Sequence, residues 1–139
     1  MKQSELAYRQ WMKEEKLDPA LREELAAIAG DEKEIEERFY TELAFGTAGL
    51  RGIIGAGTNR MNVHVVRRAT QGLAQYIRTF EDGPERGVAI AYDSRKMSDV
   101  FARETALVLA QNGIKAYLYQ TLHSVPQLSF PVRHLNCIA

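Results

Sequence analysis

The sequence predicts an α/β fold in which helices are layered on a mixed, mostly parallel sheet, preceded by a short helical N-terminal arm. From residue 88 onward, apolar runs typical of buried strands alternate with helical patterns, in the order strand, helix, strand, helix, strand. Residues 1 to 44 instead contain three short amphipathic helical patterns. We therefore divide the 139-residue chain into an arm, residues 1–44, and an incomplete α/β domain, residues 45–139.

Capping residues mark the three helices of the arm. Ser4 is a candidate cap for the first helix. Asp18 precedes a second helix with Pro19 at its first position and Gly30 after its end, and Asp31 opens a third. Each helix carries little apolar surface, so we expect an arm that lies on a larger body and has no core of its own.

The α/β part contains two complete strand patterns. "VAIAY" at 88–92 and "IKAYLY" at 114–119 are apolar runs of the buried-strand type. Ser98 or Asp99 is predicted to cap the helix between them, which ends at Gly113. Ser124 and Gln127 form a capping-box pattern for a further helix, and "CIA" at 137–139 begins a third strand.

An amphipathic helix is predicted from residue 62 to about residue 80, ahead of the first strand. Its apolar residues fall roughly on one face: Val63, Val66, Leu73 and Ile77. The segment before it, "GLRGIIGAG", is predicted as a short strand with glycine kinks.

Composition excludes several classes of protein. Eighteen basic residues balance eighteen acidic residues, which argues against bulk nucleic-acid binding. The single cysteine, Cys137, excludes an intrachain disulfide, and the three histidines have no metal-ligand spacing. No apolar run approaches the ~20 residues of a membrane span, and the N-terminus lacks the apolar core of a signal peptide. We expect a soluble, cytoplasmic protein without a membrane or nucleic-acid partner.

The stretch from Phe45 to Asn62 has five glycines and two arginines, Arg51 and Arg60. It contains neither a GxxxxGK[ST] phosphate loop nor a GxGxxG dinucleotide fingerprint. The Thr47 hydroxyl, free backbone amides and the Arg51 guanidinium suit a phosphate group. The alternative is a plain hairpin or bend. The middle of the chain is locally basic because of four residues: Arg51, Arg60, Arg67 and Arg68.

A second candidate site lies where the predicted strands end. Ligands of parallel α/β sheets collect at the carboxyl ends of the strands, and the loops "YDSRK" and "QTLHS" leave these ends. Arg95 therefore stands where a binding residue is expected, although a merely solvated arginine is an equal alternative. Asp93 either orients Arg95 or caps the loop.

Four segments occur in order along the chain: FGTAGLRG, GAGTNRMN, AYDSR, and VPQLSF followed by CIA. Together they resemble the α-D-phosphohexomutase superfamily, in particular the phosphoglucomutase branch that carries FGTAGLRG and GTNRMN together and includes phosphopentomutases. The resemblance covers essentially the whole chain.

The resemblance implies four domains around a cleft and transfer of a phosphoryl group between two hydroxyls of a sugar phosphate. The reaction proceeds through a phosphoserine in a TASHNP-type loop and a sugar bisphosphate. Mg²⁺ is held by a DGDGDR-type loop and the phosphoserine. By this resemblance, Arg51 is the catalytic arginine beside the phosphoserine, and Thr47, Arg51 and Arg95 bind phosphate.

The sequence departs from this pattern where it ends. It contains no TASHNP or DGDGDR segment, so the nucleophilic serine, the metal ligands and the sugar-reading domains are absent from these residues. Ser124-Val125-Pro126 replaces the usual Pro-Thr-Pro, which puts any role of the threonine in doubt.

We therefore expect an N-terminal fragment of a phosphoglucomutase that is inactive by itself and whose partners are the remaining domains of the same polypeptide. The intact enzyme is expected to interconvert glucose 1-phosphate and glucose 6-phosphate with Mg²⁺ and glucose 1,6-bisphosphate. The alternatives are a phosphopentomutase, a phosphomannomutase, or a non-catalytic phosphate-binding module.

Overall fold

The computed structural model describes residues 1–46, 49–123 and 125–139, which form two compact units: unit 1, Met1–Val65, and unit 2, Val66–Ala139. Unit 1 contains α1 (Gln3–Lys13), α2 (Pro19–Ala27), α3 (Glu32–Phe39), β1 (Phe45–Gly46) and β2 (Gly49–Leu50). Helix α4 (Val63–Ile77) begins in unit 1 and continues into unit 2. Unit 2 also contains α5 (Gly83–Arg86), β3 (Val88–Ile90), α6 (Ser98–Gln111), β4 (Ala116–Leu118) and α7 (Val125–His134). The predicted arm boundary at residue 44 stays a prediction.

Aspartate caps begin the second and third helices, as predicted. The Asp18 Oδ1 accepts hydrogen bonds from the Ala20 and Leu21 amides at 3.0 and 3.3 Å. Asp31 caps α3 in the same way. The prediction for Ser4 is wrong: α1 begins at Gln3, and Ser4 lies inside its first turn, 6% exposed. Its small side chain fits a buried helix position, so it does not cap.

The helices of unit 1 have a core of their own, which contradicts the expectation of an arm without one. Its buried apolar residues are Leu17, Leu25, Ile35, Phe39 and Ala56. Tyr8 and Trp11 meet the Phe39 ring edge-on, with ring centroids 5.9 and 5.6 Å apart. Because Ala56 belongs to the glycine-rich stretch, the helices and this stretch fold as one body.

The glycine-rich stretch contains two short strands, and the predicted strand in "GLRGIIGAG" is regular only at β2, Gly49–Leu50. β1 and β2 pair antiparallel, with Phe45 opposite Leu50 and Gly46 opposite Gly49. Further on, Ile54 forms an isolated bridge with Met61. β2 is short because glycines at 52, 55 and 57 follow it, and glycine weakens a strand interior.

Unit 2 contains the predicted parallel sheet. β3 and β4 are parallel, with Val88 opposite Ala116 and Ile90 opposite Leu118. The third predicted strand, at 137–139, does not form a regular strand. Nevertheless, Ile138 N–H donates to the Gly87 carbonyl at 2.9 Å, and Ala89 N–H donates to the Ala139 oxygen at 3.0 Å. β3 is therefore bonded on both sides, which accounts for its complete burial.

The helices of unit 2 pack on this sheet. Its core consists of Ala74, Ile77, Val88, Ile90, Ala102, Leu109 and Ile114. Leu73 is 37% exposed, so its predicted place on the buried face of α4 is wrong. That face instead includes Val66, Thr70 and Ala74, which are spaced by four residues. The α/β fold class is confirmed.

Two further predictions concern helix ends. The predicted cap by Ser98 or Asp99 is wrong: α6 begins at Ser98, Met97 is at its N-cap position without a side-chain cap, and the Ser98 hydroxyl accepts instead from the Asp93 amide at 3.3 Å. Gly113, with φ +73°, follows the end of the helix as predicted. The capping-box serine, Ser124, lies outside the described residues.

No helix in the described ranges has the length and apolar character needed to cross a bilayer.

Candidate functional site

The candidate residues lie on two surfaces, one in each unit. The first is the glycine-rich loop, residues 45–62 of unit 1. The second is the sheet edge, formed in unit 2 by the loops after β3 (residues 91–97) and β4 (residues 119–123).

Asn62 holds the glycine-rich loop together. Its side chain is 2% exposed, and its Nδ2 donates to the carbonyls of Gly55 and Gly57 at 2.9 and 3.0 Å. Its Oδ1 accepts from the Val65 amide at 3.0 Å, in the manner of an N-cap of α4. One buried amide thus fixes the turn and the start of the following helix.

Side chains of helices α2 and α3 also form hydrogen bonds to the glycine-rich loop. The Arg38 guanidinium forms an ion pair with Glu24, and its Nη1 also donates to the Ala56 carbonyl at 3.2 Å. The other Glu24 oxygen accepts from the Ala56 amide at 3.1 Å. Gly57 has φ +132°, and a Cβ there would lie 2.7 Å from the Arg38 carbonyl oxygen. The close approach to α3 therefore requires glycine.

Arg60 does not supply a free positive charge to this loop. Its side chain is buried, and its Nη2 forms an ion pair with Glu37 of α3. The hydrogen bond from Arg60 lowers the pKa of the Glu37 carboxyl. Arg67, in unit 2, pairs with Glu104 at 2.6 Å. Carboxylates therefore pair with Arg60 and Arg67, two of the four arginines that make this segment basic.

Arg51 differs from these arginines. It lies directly after β2 and is exposed, and it forms no hydrogen bond or ion pair with any residue that the structure describes. The neighbouring Gly52 approaches Leu43 closely, since a Cβ at Gly52 would lie 2.8 Å from the Leu43 Cδ1. The chain next to Arg51 thus packs against Leu43, while the exposed Arg51 guanidinium is available to an anion.

Arg95 is oriented by Asp93 at the sheet edge. The Arg95 Nε donates to both Asp93 oxygens, at 2.8 and 3.1 Å, and the Arg95 amide donates to Oδ1 at 3.1 Å. Asp93 therefore both orients the guanidinium and caps the loop, so the two interpretations left open by the sequence hold together. The hydrogen bond from Arg95 lowers the pKa of Asp93 and raises that of Arg95.

The outer face of the Arg95 guanidinium is open. Its side chain is 75% exposed, and within the described ranges its Nη1 and Nη2 atoms have no hydrogen-bond partner. Two parallel N–H groups in this geometry match two oxygens of a phosphate. Arg95 is thus pre-oriented for bidentate anion binding.

Backbone and side-chain hydrogen bonds tie the loop after β4 to the loop after β3. The His123 amide donates to the Tyr92 carbonyl at 2.9 Å, and the Tyr92 hydroxyl donates to the Gln120 carbonyl at 3.0 Å. The carboxyl ends of both strands therefore meet at one edge, as the parallel pairing requires.

Comparison with known proteins decides the family. Residues 42–139 match the family model described as "Phosphoglucomutase/phosphomannomutase, alpha/beta/alpha domain I". The chain belongs to the phosphoglucomutase/phosphomannomutase family. The alpha/beta/alpha description agrees with the helices and parallel sheet of unit 2.

Several relatives in this family are named phosphoglucomutase. The protein from Staphylococcus haemolyticus strain JCSC1435 is 44% identical over 104 residues, covering 75% of this chain and 19% of the relative. A second, from Staphylococcus aureus strain USA300, is 41% identical over 110 residues, or 78% of this chain and 20% of the relative. The chain therefore spans about a fifth of the length of the curated relatives it matches. No solved structure matches the chain.

Membership of the phosphoglucomutase/phosphomannomutase family does not by itself assign roles to the candidate residues of this chain. Arg51 lies in unit 1 and Arg95 in unit 2, while Thr47 falls outside the described residues. The roles predicted for all three stay predictions. The structure joins Arg95 to Asp93, which is the one pairing of candidate residues that it demonstrates.

The sequence reasoning missed the residues that position the loop of this family member: Glu24, Arg38 and Asn62. Their partners lie far away in the sequence, so no local pattern marks Glu24 or Arg38. Asn62 did carry a signal, because an asparagine directly before an amphipathic helix is a preferred N-cap.

A metal site is not formed by the described residues, among which no three His, Cys, Asp or Glu side chains are grouped to hold an ion. The prediction that Mg²⁺ is bound by residues outside this chain stays a prediction.

Proposed function

We propose that this chain forms part of a phosphoglucomutase that interconverts glucose 1-phosphate and glucose 6-phosphate. The observation that carries the proposal is the 44% identity over 104 residues to a protein named phosphoglucomutase. In this proposal the whole protein works through a phosphoserine and glucose 1,6-bisphosphate, with Mg²⁺ bound by residues that these 139 do not include. The chain works in the cytoplasm beside the remaining domains of its polypeptide.

The chemistry of the two surfaces supports this assignment. Phosphoryl transfer depends mainly on positioning and on cations placed where charge develops. Arg51 presents a guanidinium with no partner among the described residues, beside a chain segment packed against Leu43. Arg95 presents two N–H groups held in place by Asp93. We propose that both arginines, with Thr47, bind phosphate groups, and that Arg51 lies beside the phosphoserine.

We also propose that the 139-residue chain does not catalyse the reaction by itself. Transfer through a covalent intermediate needs its nucleophile, and the sequence contains no TASHNP-type segment. A coupled assay that measures glucose 6-phosphate from glucose 1-phosphate tests this directly. Turnover by the purified chain would refute the proposal of inactivity.

A chimera tests whether this segment can serve as the first domain of a phosphoglucomutase. Residues 42–139 replace the matching segment of the S. haemolyticus protein, and kcat is measured for the chimera and for Arg51→Ala and Arg95→Ala variants. We expect a loss of about 10²–10³ in kcat for each, the size typical of a lost transition-state contact. Arg78→Ala is the matched control, since Arg78 is also exposed and lies in the same segment. Equal activity in all three variants would contradict the assigned roles.

A second candidate follows from the name of the family model, which includes phosphomannomutase. The phosphomannomutase and phosphopentomutase alternatives are tested on the whole protein, because in this proposal the sugar-reading domains lie outside these residues and the chimera takes them from its host. Faster turnover of mannose 1-phosphate or of a pentose 1-phosphate than of glucose 1-phosphate would support one of these alternatives. A chain that binds phosphate while the chimera transfers none would instead support a non-catalytic binding module.

A further inference from the structure

Leu43 has no role in the function proposed above, but its side chain packs against the residue that follows Arg51. A Cβ at Gly52 would lie 2.8 Å from the Leu43 Cδ1 and 3.0 Å from the Leu43 Cδ2. The same Cβ would lie 3.5 Å from the Met61 Cγ. The side chains of Leu43 and Met61 therefore meet against Gly52, one residue after the exposed guanidinium.

Hydrogen bonds attach both sides of this contact to one short segment, which contains Thr58 and Met61. On one side, the Leu43 amide donates to the Thr58 carbonyl at 2.9 Å. On the other side, the Met61 amide donates to the Ile53 carbonyl at 2.8 Å. Leu43 and the chain after Gly52 are thus held by the same segment, and the Leu43 side chain fills the space between them.

Position 52 requires a glycine for space and not for backbone freedom. The φ of Gly52 lies outside the left-handed region, whereas Gly57 of the same loop has φ +132°. An alanine at position 52 is therefore not strained by its backbone, and its effect comes from the contact with Leu43. The added Cβ displaces either Leu43 or the chain that carries Arg51, and each displacement ends the present contact.

We propose that Leu43 is a positioning residue for Arg51. Its side chain sets how closely residues 51 and 52 approach the segment that contains Met61, and it thereby sets where the Arg51 guanidinium lies. The inference rests on the proposed function, because it takes Arg51 as the arginine beside the phosphoserine. A cation stabilises a transferring phosphoryl group only from the correct place, and a displacement of about 1 Å can cost about a hundredfold in rate.

The chimera that carries residues 42–139 tests the inference through kcat and KM for glucose 1-phosphate. We expect Leu43→Ala and Gly52→Ala each to lower kcat about tenfold or more while KM changes by less than about twofold, because a misplaced transition-state contact acts on kcat. Opposite volume changes at one contact compensate, so the double variant should recover most of the loss caused by Gly52→Ala. Leu43→Met keeps the volume of the side chain and should keep kcat.

Two control variants separate position from stability. Val65→Ala removes buried apolar atoms from α4, where Val65 is 7% exposed, so it lowers stability without touching the Leu43 contact. Gly72→Ala adds a methyl group at an open position of the same helix. We expect both controls to keep kcat when activity is referred to the folded fraction of each variant, which circular dichroism measures at the assay temperature.

NMR of the 139-residue chain checks the contact itself. Nuclear Overhauser effects should join the Leu43 methyl groups to the Gly52 Hα protons, and Leu43→Ala should shift the Arg51 amide signal. The inference is overturned if these signals are missing, if Leu43→Ala and Gly52→Ala keep kcat, if Val65→Ala loses as much as Leu43→Ala, or if the two losses multiply in the double variant. A chimera that is inactive without any substitution contradicts the proposed function and the inference together, whereas failure of the inference alone leaves an active chimera.

Discussion

Replacing Asn62 by alanine tests whether one buried amide organises the glycine-rich loop. The substitution removes the donor to the Gly55 and Gly57 carbonyls and the acceptor for the Val65 amide. Loss of the cap to α4 costs about 1 kcal/mol. Each carbonyl left without a donor in this buried position costs about 1 kcal/mol more. We therefore expect the free energy of unfolding to fall by about 3 kcal/mol.

Urea unfolding followed by Trp11 fluorescence measures this change. Trp11 is the single tryptophan and contacts Phe39 and the His64 ring in unit 1, so its emission reports on the body that contains Asn62. The expected loss lowers the unfolding midpoint by about 1–2 M urea. This is a large part of the stability of an ordinary domain, which is about 5–15 kcal/mol.

Asn59 provides the matched control. It belongs to the same loop, but its side chain donates only one hydrogen bond, to the Glu37 carbonyl at 3.1 Å, and this bond is exposed. Asn59→Ala is expected to cost about 1 kcal/mol or less. If Asn62→Ala costs no more than Asn59→Ala, the loop does not depend on the buried amide and the reasoning is refuted.

Two further predictions concern backbone strain and charge. Gly57→Ala should destabilise unit 1 by about 2 kcal/mol or more, because Gly57 has a positive φ and lies close to the Arg38 carbonyl. Gly72 is at an open position within α4, so Gly72→Ala should stabilise the folded chain by about 0.5–1 kcal/mol. Urea midpoints that move in the same direction would contradict this. The hydrogen bond from Arg95 lowers the pKa of Asp93 in the folded chain. The pair therefore stabilises the folded chain at pH values above the ordinary aspartate pKa of about 3.9. This stabilisation is lost as the pH falls through the lower pKa that Asp93 has in the folded chain. An NMR titration should show the Asp93 midpoint rising in Arg95→Gln, and an unchanged midpoint would refute the pairing in solution.

The sequence predicted the elements whose signals are local. Asp18 and Asp31 mark helix starts because a cap acts on amides two or three residues away. β3 was predictable because a strand bonded on both sides is apolar throughout. The position of Arg95 at the sheet edge was predictable because Arg95 lies in the loop after a predicted strand, at its carboxyl end.

Features that depend on distant partners were not predictable. Periodicity placed Leu73 on the buried face of α4, but only the packed neighbours decide which face is covered, and Leu73 is exposed. The arm appeared to lack a core because Ala56, which completes its cluster, lies well beyond the three helices in sequence. Arg60 was counted toward a locally basic segment because nothing near it in the sequence shows its pairing with Glu37.

The bonding of β3 has a consequence for how the chain folds. The Val88 amide bonds to the Lys115 carbonyl on one side, while Gly87 and Ala89 bond to Ile138 and Ala139 on the other. Both partners lie far along the sequence, so large loops must close before the central strand gains its hydrogen bonds. Chains dominated by such distant contacts fold slowly. The sheet edge that carries Arg95 is therefore expected to form late, after the locally connected helices α1 to α3.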